Sequence, residues 1–299
     1  MNTRFVSIGE AMVELAPASE PGLYGVGFAG DTLNTAWYAR KILPPDWQVD
    51  YLTAVGQDAM SARMLDFLAQ AGIGTEYIQR RADKTVGLYM IELQDGERSF
   101  SYWRSDSAAR LICEDLETLG QAIASAGMVY FSGISIAILP EDHRGRLMAA
   151  LALARTNGAK IVFDPNLRPK LWPDQMTMCA AIMAAAQVSD IVLPSHEDEA
   201  TYFGDADLAA TAARYAKAGA SLVVVKNGGG EMLSLDKGET ALHQPQSVTD
   251  IVDTTAAGDS FNAGFLAAYL QGAGLGNAIS QGAALAAKVI GQRGALVTL

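Results

Sequence analysis

Short apolar runs alternate along the chain with longer segments of helical periodicity. "YLTAV" (51–55) leads into "SARMLDFLAQAG", "MVYFSG" (128–133) into "EDHRGRLMAALALARTNG", and "KIVFD" (160–164) into a helical segment beginning at Asp174. "DIVLP" leads into "HEDEATYFG", and "SLVVVK" (221–226) closes the series. Strand-length runs separated by helix-length segments predict an α/β protein, with a mostly parallel sheet and helices on both faces. No internal repeat or low-complexity stretch interrupts the pattern.

One segment departs from it. "VGLYMIELQDGERSFSYWR" (86–104) holds two strand-like runs around Asp95 and Gly96, a hairpin signal. With those two residues as the turn, Tyr89 faces Tyr102 and Gly87 faces Arg104, so two tyrosines and an arginine project from one face of the ribbon. The segment from Glu10 to Gly30 also reads as strands with turns at Pro17, Pro21, Gly22, Gly25 and Gly27. Together the two segments predict a small sheet outside the main one, able to act as a lid. Its apolar positions Leu88, Met90 and Trp103 are a candidate surface for a homo-oligomer.

Composition narrows the function. Half of the 299 residues are apolar, enough for a large core. Lys and Arg number 22 against 33 Asp and Glu, a net charge of −11, and the basic residues are scattered. That balance argues against a nucleic-acid or anionic-membrane surface, so countercharges for an anionic ligand must be local and few. Cys113 and Cys179 have no CxxC spacing and the three histidines do not cluster, which argues against zinc or a disulfide framework. The start lacks the apolar core of a signal peptide and no run approaches a membrane span, so a cytoplasmic location is expected.

"GVGFAG" (25–30) fits the dinucleotide pattern GxGxxG. A Pro and Gly stretch precedes it instead of a strand, and "PPDWQVD" (44–50) occupies the window about 20 residues on, so a flexible loop is the better reading. "DTTAAGDSFNAGF" (253–265) is more informative. The first amides of a helix are unpaired donors at the positive end of its dipole, and Ala256, Ala257 and Gly258 are small enough to let phosphate oxygens reach them. Asp259 is then placed to orient and deprotonate an attacking hydroxyl, although a plain helix cap would use the same residue types.

"DTTAAGDSFNAGF" resembles the C-terminal signature of the ribokinase-like (PfkB) carbohydrate kinases, and "AGDTLNTA" (29–36) is similar to their N-terminal substrate motif. Ala256 stands where many members carry glycine. Within the family, "GDTLNTA", "YWRSDSAAR", "SGISIAIL", "FDPNLRPKLW" and "DTTAAGDSF" resemble, in order, the branch that phosphorylates 2-keto-3-deoxygluconate on its terminal hydroxyl. The resemblance implies a ribokinase-like three-layer sandwich over residues 1–299. Its β-sheet lid would come from about 10–30 and 84–106, and ATP and magnesium would be co-substrates.

Carried over by position, Gly30, Asp31 and Asn34 match the family's sugar-contacting stretch, and Tyr89, Tyr102 and Arg104 match its lid contacts. Arg168 matches a second substrate-side arginine; a planar fork suits a carboxylate, which a neutral hexose does not carry. Asn166, Lys226, Asn227, Gly228 and Gly229, with Ala256, Ala257 and Gly258, match the ATP side. The family's magnesium element NxxE corresponds to "SHEDE" (195–199), with Ser195 for Asn and Asp198 in the acid's place. Asp198 and Glu199 both stay open, and the magnesium ligands stay unassigned.

Overall fold

The apolar runs become strands buried on both faces. Every residue of Arg4–Ile8, Met128–Ser132 and Leu222–Val225 is buried. Within Arg4–Ile8, Phe5 enters one hydrophobic cluster while Val6 and Ile8 enter the other, because successive strand residues point to opposite faces. A computed structural model describes residues 2–18, 20, 22–94 and 97–299, with backbone alone at 93, 94, 97 and 98.

In chain order the strands are β1 (Arg4–Ile8), β2 (Met12–Pro17), β3 (Tyr24–Ala29), β4 (Gln48–Leu52), β5 (Ala54–Gly56), β6 (Gln79–Arg81) and β7 (Gly87–Gln94). They continue with β8 (Glu97–Trp103), β9 (Met128–Ser132), β10 (Lys160–Asp164), β11 (Ile191–Val192), β12 (Leu222–Val225), β13 (Met232–Asp236) and β14 (Glu239–His243). The main sheet has the order β14-β13-β12-β11-β10-β9-β1-β4. It runs parallel from β12 to β4, and only the β13–β14 hairpin at one edge is antiparallel. A parallel sheet needs both faces covered, and helices with the two apolar clusters supply that cover.

On one face the helices Ala257–Leu270 and Leu275–Ile290 pack closely. Glycine makes the approach possible: a methyl group on Gly264 would meet the Cα of Gly282 at 2.9 Å. Phe261 and Phe265, four residues apart, stack with ring centroids 6.3 Å apart and enter the core. The face of this helix that carries the apolar load thus leaves its first turn open to the carboxyl ends of the strands.

The second sheet has the order β3-β2-β7-β8. The expected hairpin register is observed, with Tyr89 opposite Tyr102 and Leu88 opposite Trp103. The turn assigned to Asp95 and Gly96 lies outside the described residues. "GVGFAG" differs from its reading as a flexible loop: Tyr24–Ala29 is β3, paired antiparallel with β2 from Met12↔Ala29 to Pro17↔Tyr24. Glycine there leaves the exposed strand thin without ending its ladder. Val26, Trp103 and Tyr24 remain exposed, while Leu15 and Leu88 are partly buried against the main core.

Candidate active site

The carboxyl ends of the parallel strands open into one cavity of 520 Å³, roofed by Met12, Tyr89 and Tyr102 of the small sheet. Ligand crevices in open α/β sheets form at these strand ends. Glu10 follows β1, Asp164 ends β10, Ser195 follows β11 and Lys226 follows β12, and all four line the cavity.

Asp259 sits in the first turn of the helix Ala257–Leu270. Its Oδ2 accepts a hydrogen bond of 2.8 Å from Asn34 Nδ2. Burial pushes its carboxyl up to about 8, the charge of Asp31 adds to the rise, and the Asn34 bond and Lys226 oppose it. A carboxylate of raised basicity suits proton abstraction near neutral pH. Among the described residues, the amides of Gly258 and Asp259 have no acceptor, and no side chain caps the helix. The amide of Ala257 is different, because it donates to the Thr254 carbonyl at 3.2 Å, so the anion cradle is narrower than the sequence implied. Ala256 has φ 59 and ψ 17, the left-handed region, which explains why glycine is favoured at this point of the motif.

The sugar-side stretch converges on the same carboxylate. Gly30 is required because a Cβ there would lie 2.2 Å from the Glu10 carbonyl oxygen. Asp31 accepts from the Thr32 amide with Oδ1 and from Asn166 Nδ2, at 2.8 Å, with Oδ2. Asn166 also donates its amide to Asp164 Oδ1 at 3.1 Å and adopts φ 34. It was expected on the ATP side; its side chain instead reaches Asp31, so it links the two halves of the cavity.

The roof residues are individually engaged. The Tyr89 hydroxyl donates to Glu14, and the rings of Tyr89 and Tyr102 lie 5.9 Å apart. Tyr102 is 53% exposed and offers its ring to the cavity. Arg104 pairs with Glu10, whose side chain is fully buried and also accepts from Ser107. Burial raises the Glu10 pKa, with Arg104 and Ser107 pulling it back. Arg168 differs from Arg104: its Nη1 donates to the Leu167 carbonyl at 2.7 Å, and it has no ion-pair partner among the described residues.

Lys226 was matched to the ATP side. Its ammonium lies at the cavity floor, 3.0 Å from Asp164 Oδ2 and 3.2 Å from Asn262 Oδ1. Asn227, Gly228 and Gly229 do not line this cavity; the Asn227 amide closes its own turn on the Glu231 carbonyl. Glu199 is removed as a magnesium candidate, because it is buried in an ion pair with Arg214 and accepts from the Tyr215 hydroxyl. Asp198 lines the cavity without a hydrogen-bond partner among the described residues, its pKa raised by burial and lowered by nearby Arg168. Among the described residues no cluster of three or more His, Cys, Asp or Glu could hold a metal alone.

Sequence reasoning missed Glu10, Asp164 and Asn262. The strand-end rule pointed to the first two, which stand at or just after the carboxyl ends of β1 and β10. Asn262 is three residues beyond Asp259 and so lies one helical turn below it.

A strand-end cavity with a helix-borne carboxylate beside free amides defines a phosphotransferase-type site on a ribokinase-like fold, and the comparisons agree. The pfkB family carbohydrate kinase profile covers residues 2–299, and the chain belongs to that family. It is 39% identical to the protein of Dickeya dadantii (strain 3937) named 2-dehydro-3-deoxygluconokinase, over 100% of this chain and 98% of that one. It is 36% identical to the protein of the same name from Haemophilus influenzae, over 97% and 94%. The solved PfkB protein from Polaromonas sp. JS666 superposes with a TM-score of 0.85 at 26% identity, covering 95% of this chain and 94% of the other. No described helix is long and apolar enough to cross a membrane.

Proposed function

We propose that this carbohydrate kinase transfers the terminal phosphate of ATP to the terminal hydroxyl of 2-dehydro-3-deoxygluconate (2-keto-3-deoxygluconate). The observation that carries the reading is Arg168, a guanidinium in the same cavity as Asp259 that makes no direct ion pair among the described residues and has only the more distant Asp198 as a nearby acidic charge. A sugar acid supplies the missing carboxylate, and a neutral sugar does not. The names of the Dickeya and Haemophilus relatives support the same substrate.

In this reading the carboxylate end of the substrate lies toward Arg168 and Arg104, under Tyr89 and Tyr102, with Gly30, Asp31 and Asn34 along the sugar. Asp259 takes the hydroxyl proton as the new O–P bond forms and the bond from phosphorus to the ADP oxygen breaks. The amides of Gly258 and Asp259 hold the charge developing on the transferred group. The carboxylate of Asp198, which has no hydrogen-bond partner among the described residues, fits a magnesium ion that would take most of its ligands from phosphate and water. Magnesium, when bound, supplies neutralisation of phosphate charge. The small sheet acts as a lid that excludes water, and its outer face, with Trp103 and Val26 exposed, pairs two copies of the chain. The setting is cytoplasmic, where the free thiols of Cys113 and Cys179 stay reduced.

The test is ADP release coupled to a reporter enzyme, with ATP and magnesium, over 2-dehydro-3-deoxygluconate, its galactonate epimer, fructose and ribose. Turnover with the keto-deoxy acids and not with the neutral sugars is expected. Preference for fructose or ribose overturns the substrate assignment and leaves the kinase class intact.

A further inference from the structure

The ammonium of Lys226 has three N–H donors, and the structure occupies two of them. Asp164 Oδ2 and Asn262 Oδ1 take one each, at 3.0 and 3.2 Å, and no described residue accepts the third. The side chain is 10% exposed and lines the cavity, so the remaining donor is not lost to bulk water. Its position is set against the cradle: a methyl group on Gly258 would lie 3.6 Å from Nζ. The unused donor and the free amides of the helix turn therefore border one small region.

Asn262 fixes that arrangement. It is fully buried, and every polar atom of its amide is engaged. Oδ1 accepts from Lys226, while Nδ2 donates to Asp164 Oδ2 at 2.6 Å and to the Tyr130 hydroxyl at 3.0 Å. Tyr130 is in turn within 3.3 Å of Thr35 Oγ1, which donates to the Asp259 carbonyl at 3.2 Å. The amide thus ties the lysine to Asp164 and to the backbone of the base. Without it, the ammonium would be free to turn both remaining donors toward Asp164.

We infer that Lys226 is a catalytic residue that contacts the transferred phosphoryl group, and that Asn262 is the positioning residue holding its free N–H toward the cradle. The inference rests on the proposed placing of the terminal phosphate beside Gly258 and Asp259. A flexible ammonium is suited to the task, since it can follow the phosphorus between donor and acceptor oxygens.

The experiment compares wild type, Lys226→Met, Asn262→Ala and the double variant. Lys226→Met is expected to lower kcat about 100-fold with the KM for ATP changed by less than about threefold. Asn262→Ala is expected to lower kcat about tenfold, and to add nothing in the Lys226→Met background. A second arm measures magnesium-dependent ADP binding with and without aluminium fluoride, a mimic of the moving phosphoryl group. Lys226→Met should lose about 30-fold or more of the fluoride-dependent gain while ADP affinity alone holds. Lys226→Gln and Asn262→Ser replace any variant that fails to fold.

Full kcat and full fluoride-dependent gain in a folded Lys226 variant overturn the catalytic assignment. An equal loss from Asn262→Ala in both backgrounds overturns the positioning role, since a merely structural residue would behave that way. If wild type shows the fluoride-dependent gain but no turnover of any keto-deoxy acid, the substrate reading fails while the role of Lys226 stands.

Discussion

Asn34 and Asp259 lie 225 residues apart on different helices, yet Asn34 Nδ2 donates to Asp259 Oδ2 at 2.8 Å. The bond favours the ionised form of a carboxylate that lines the cavity. It also places the proposed base against the helix Asp31–Ile42, whose start carries the proposed sugar contacts Gly30, Asp31 and Asn34, so in the proposed reading sugar and base are oriented by one set of contacts.

Asp259→Asn keeps the shape and the hydrogen-bonding capacity of the side chain and removes its ability to take a proton. The expected outcome is a kcat reduced by about 1,000-fold or more, with ATP affinity within about twofold. Steady-state ADP release and calorimetric titration with ATP measure the two quantities. Near-normal turnover would remove Asp259 as the base.

The raised basicity of Asp259 gives a pH signature. The ionised form is the active one, so kcat/KM should climb with pH through about 8 and level above it. The charge of Asp31 contributes to the rise, so Asp31→Asn should move this limb to lower pH even as KM for the sugar increases. Asn34→Leu removes a bond that favours ionisation, so it should move the limb upward. A pH profile of kcat/KM for the three proteins checks the signs, and a limb unmoved in both variants counts against electrostatic control of the base.

Ala256 carries backbone strain in the proposed phosphate-binding turn, with φ 59 at a residue that has a Cβ. Ala256→Gly relieves a left-handed alanine at the expense of a more flexible unfolded chain, so stability should stay within about 1 kcal/mol of wild type and turnover should be retained. Ala256→Val adds a β-branched side chain to the same conformation and crowds the cradle. It should destabilise by about 1–3 kcal/mol and raise the KM for ATP. Urea unfolding and steady-state kinetics separate the two effects.

The fold was legible because its signals are local. The strand "LVVV" (222–225) is apolar throughout, and the Asp95–Gly96 hairpin signal by itself sets Tyr89 opposite Tyr102. The cavity was legible only where a motif announced itself. Asp259 and the small residues before it stand in one stretch, whereas Glu10, Asp164 and Asn262 meet their partners across long separations. Glu10 to Arg104 spans 94 residues and Asp164 to Asn262 spans 98. Nothing in the neighbourhood of "GEAM" says that its glutamate is buried against a lid arginine. Likewise "GVGFAG" looked like a loop by composition, because the ladder that makes it a strand is supplied by β2.

The Glu10–Arg104 pair changes what an arginine deletion should do. Arg104→Leu removes a possible partner for the substrate carboxylate, and it also leaves the fully buried Glu10 side chain without its countercharge. The single variant should therefore lose about 3–5 kcal/mol of stability and raise the KM for the sugar acid by an amount equivalent to about 2–4 kcal/mol. Replacing both residues by leucine removes both buried charges, so stability should return to within about 2 kcal/mol of wild type. The KM should stay raised in that double variant, because neither leucine can receive a carboxylate. Urea unfolding and sugar-acid kinetics on the single and double variants read the two roles separately. A KM restored together with stability would mean that Arg104 serves the fold alone and that Arg168 holds the substrate carboxylate without it.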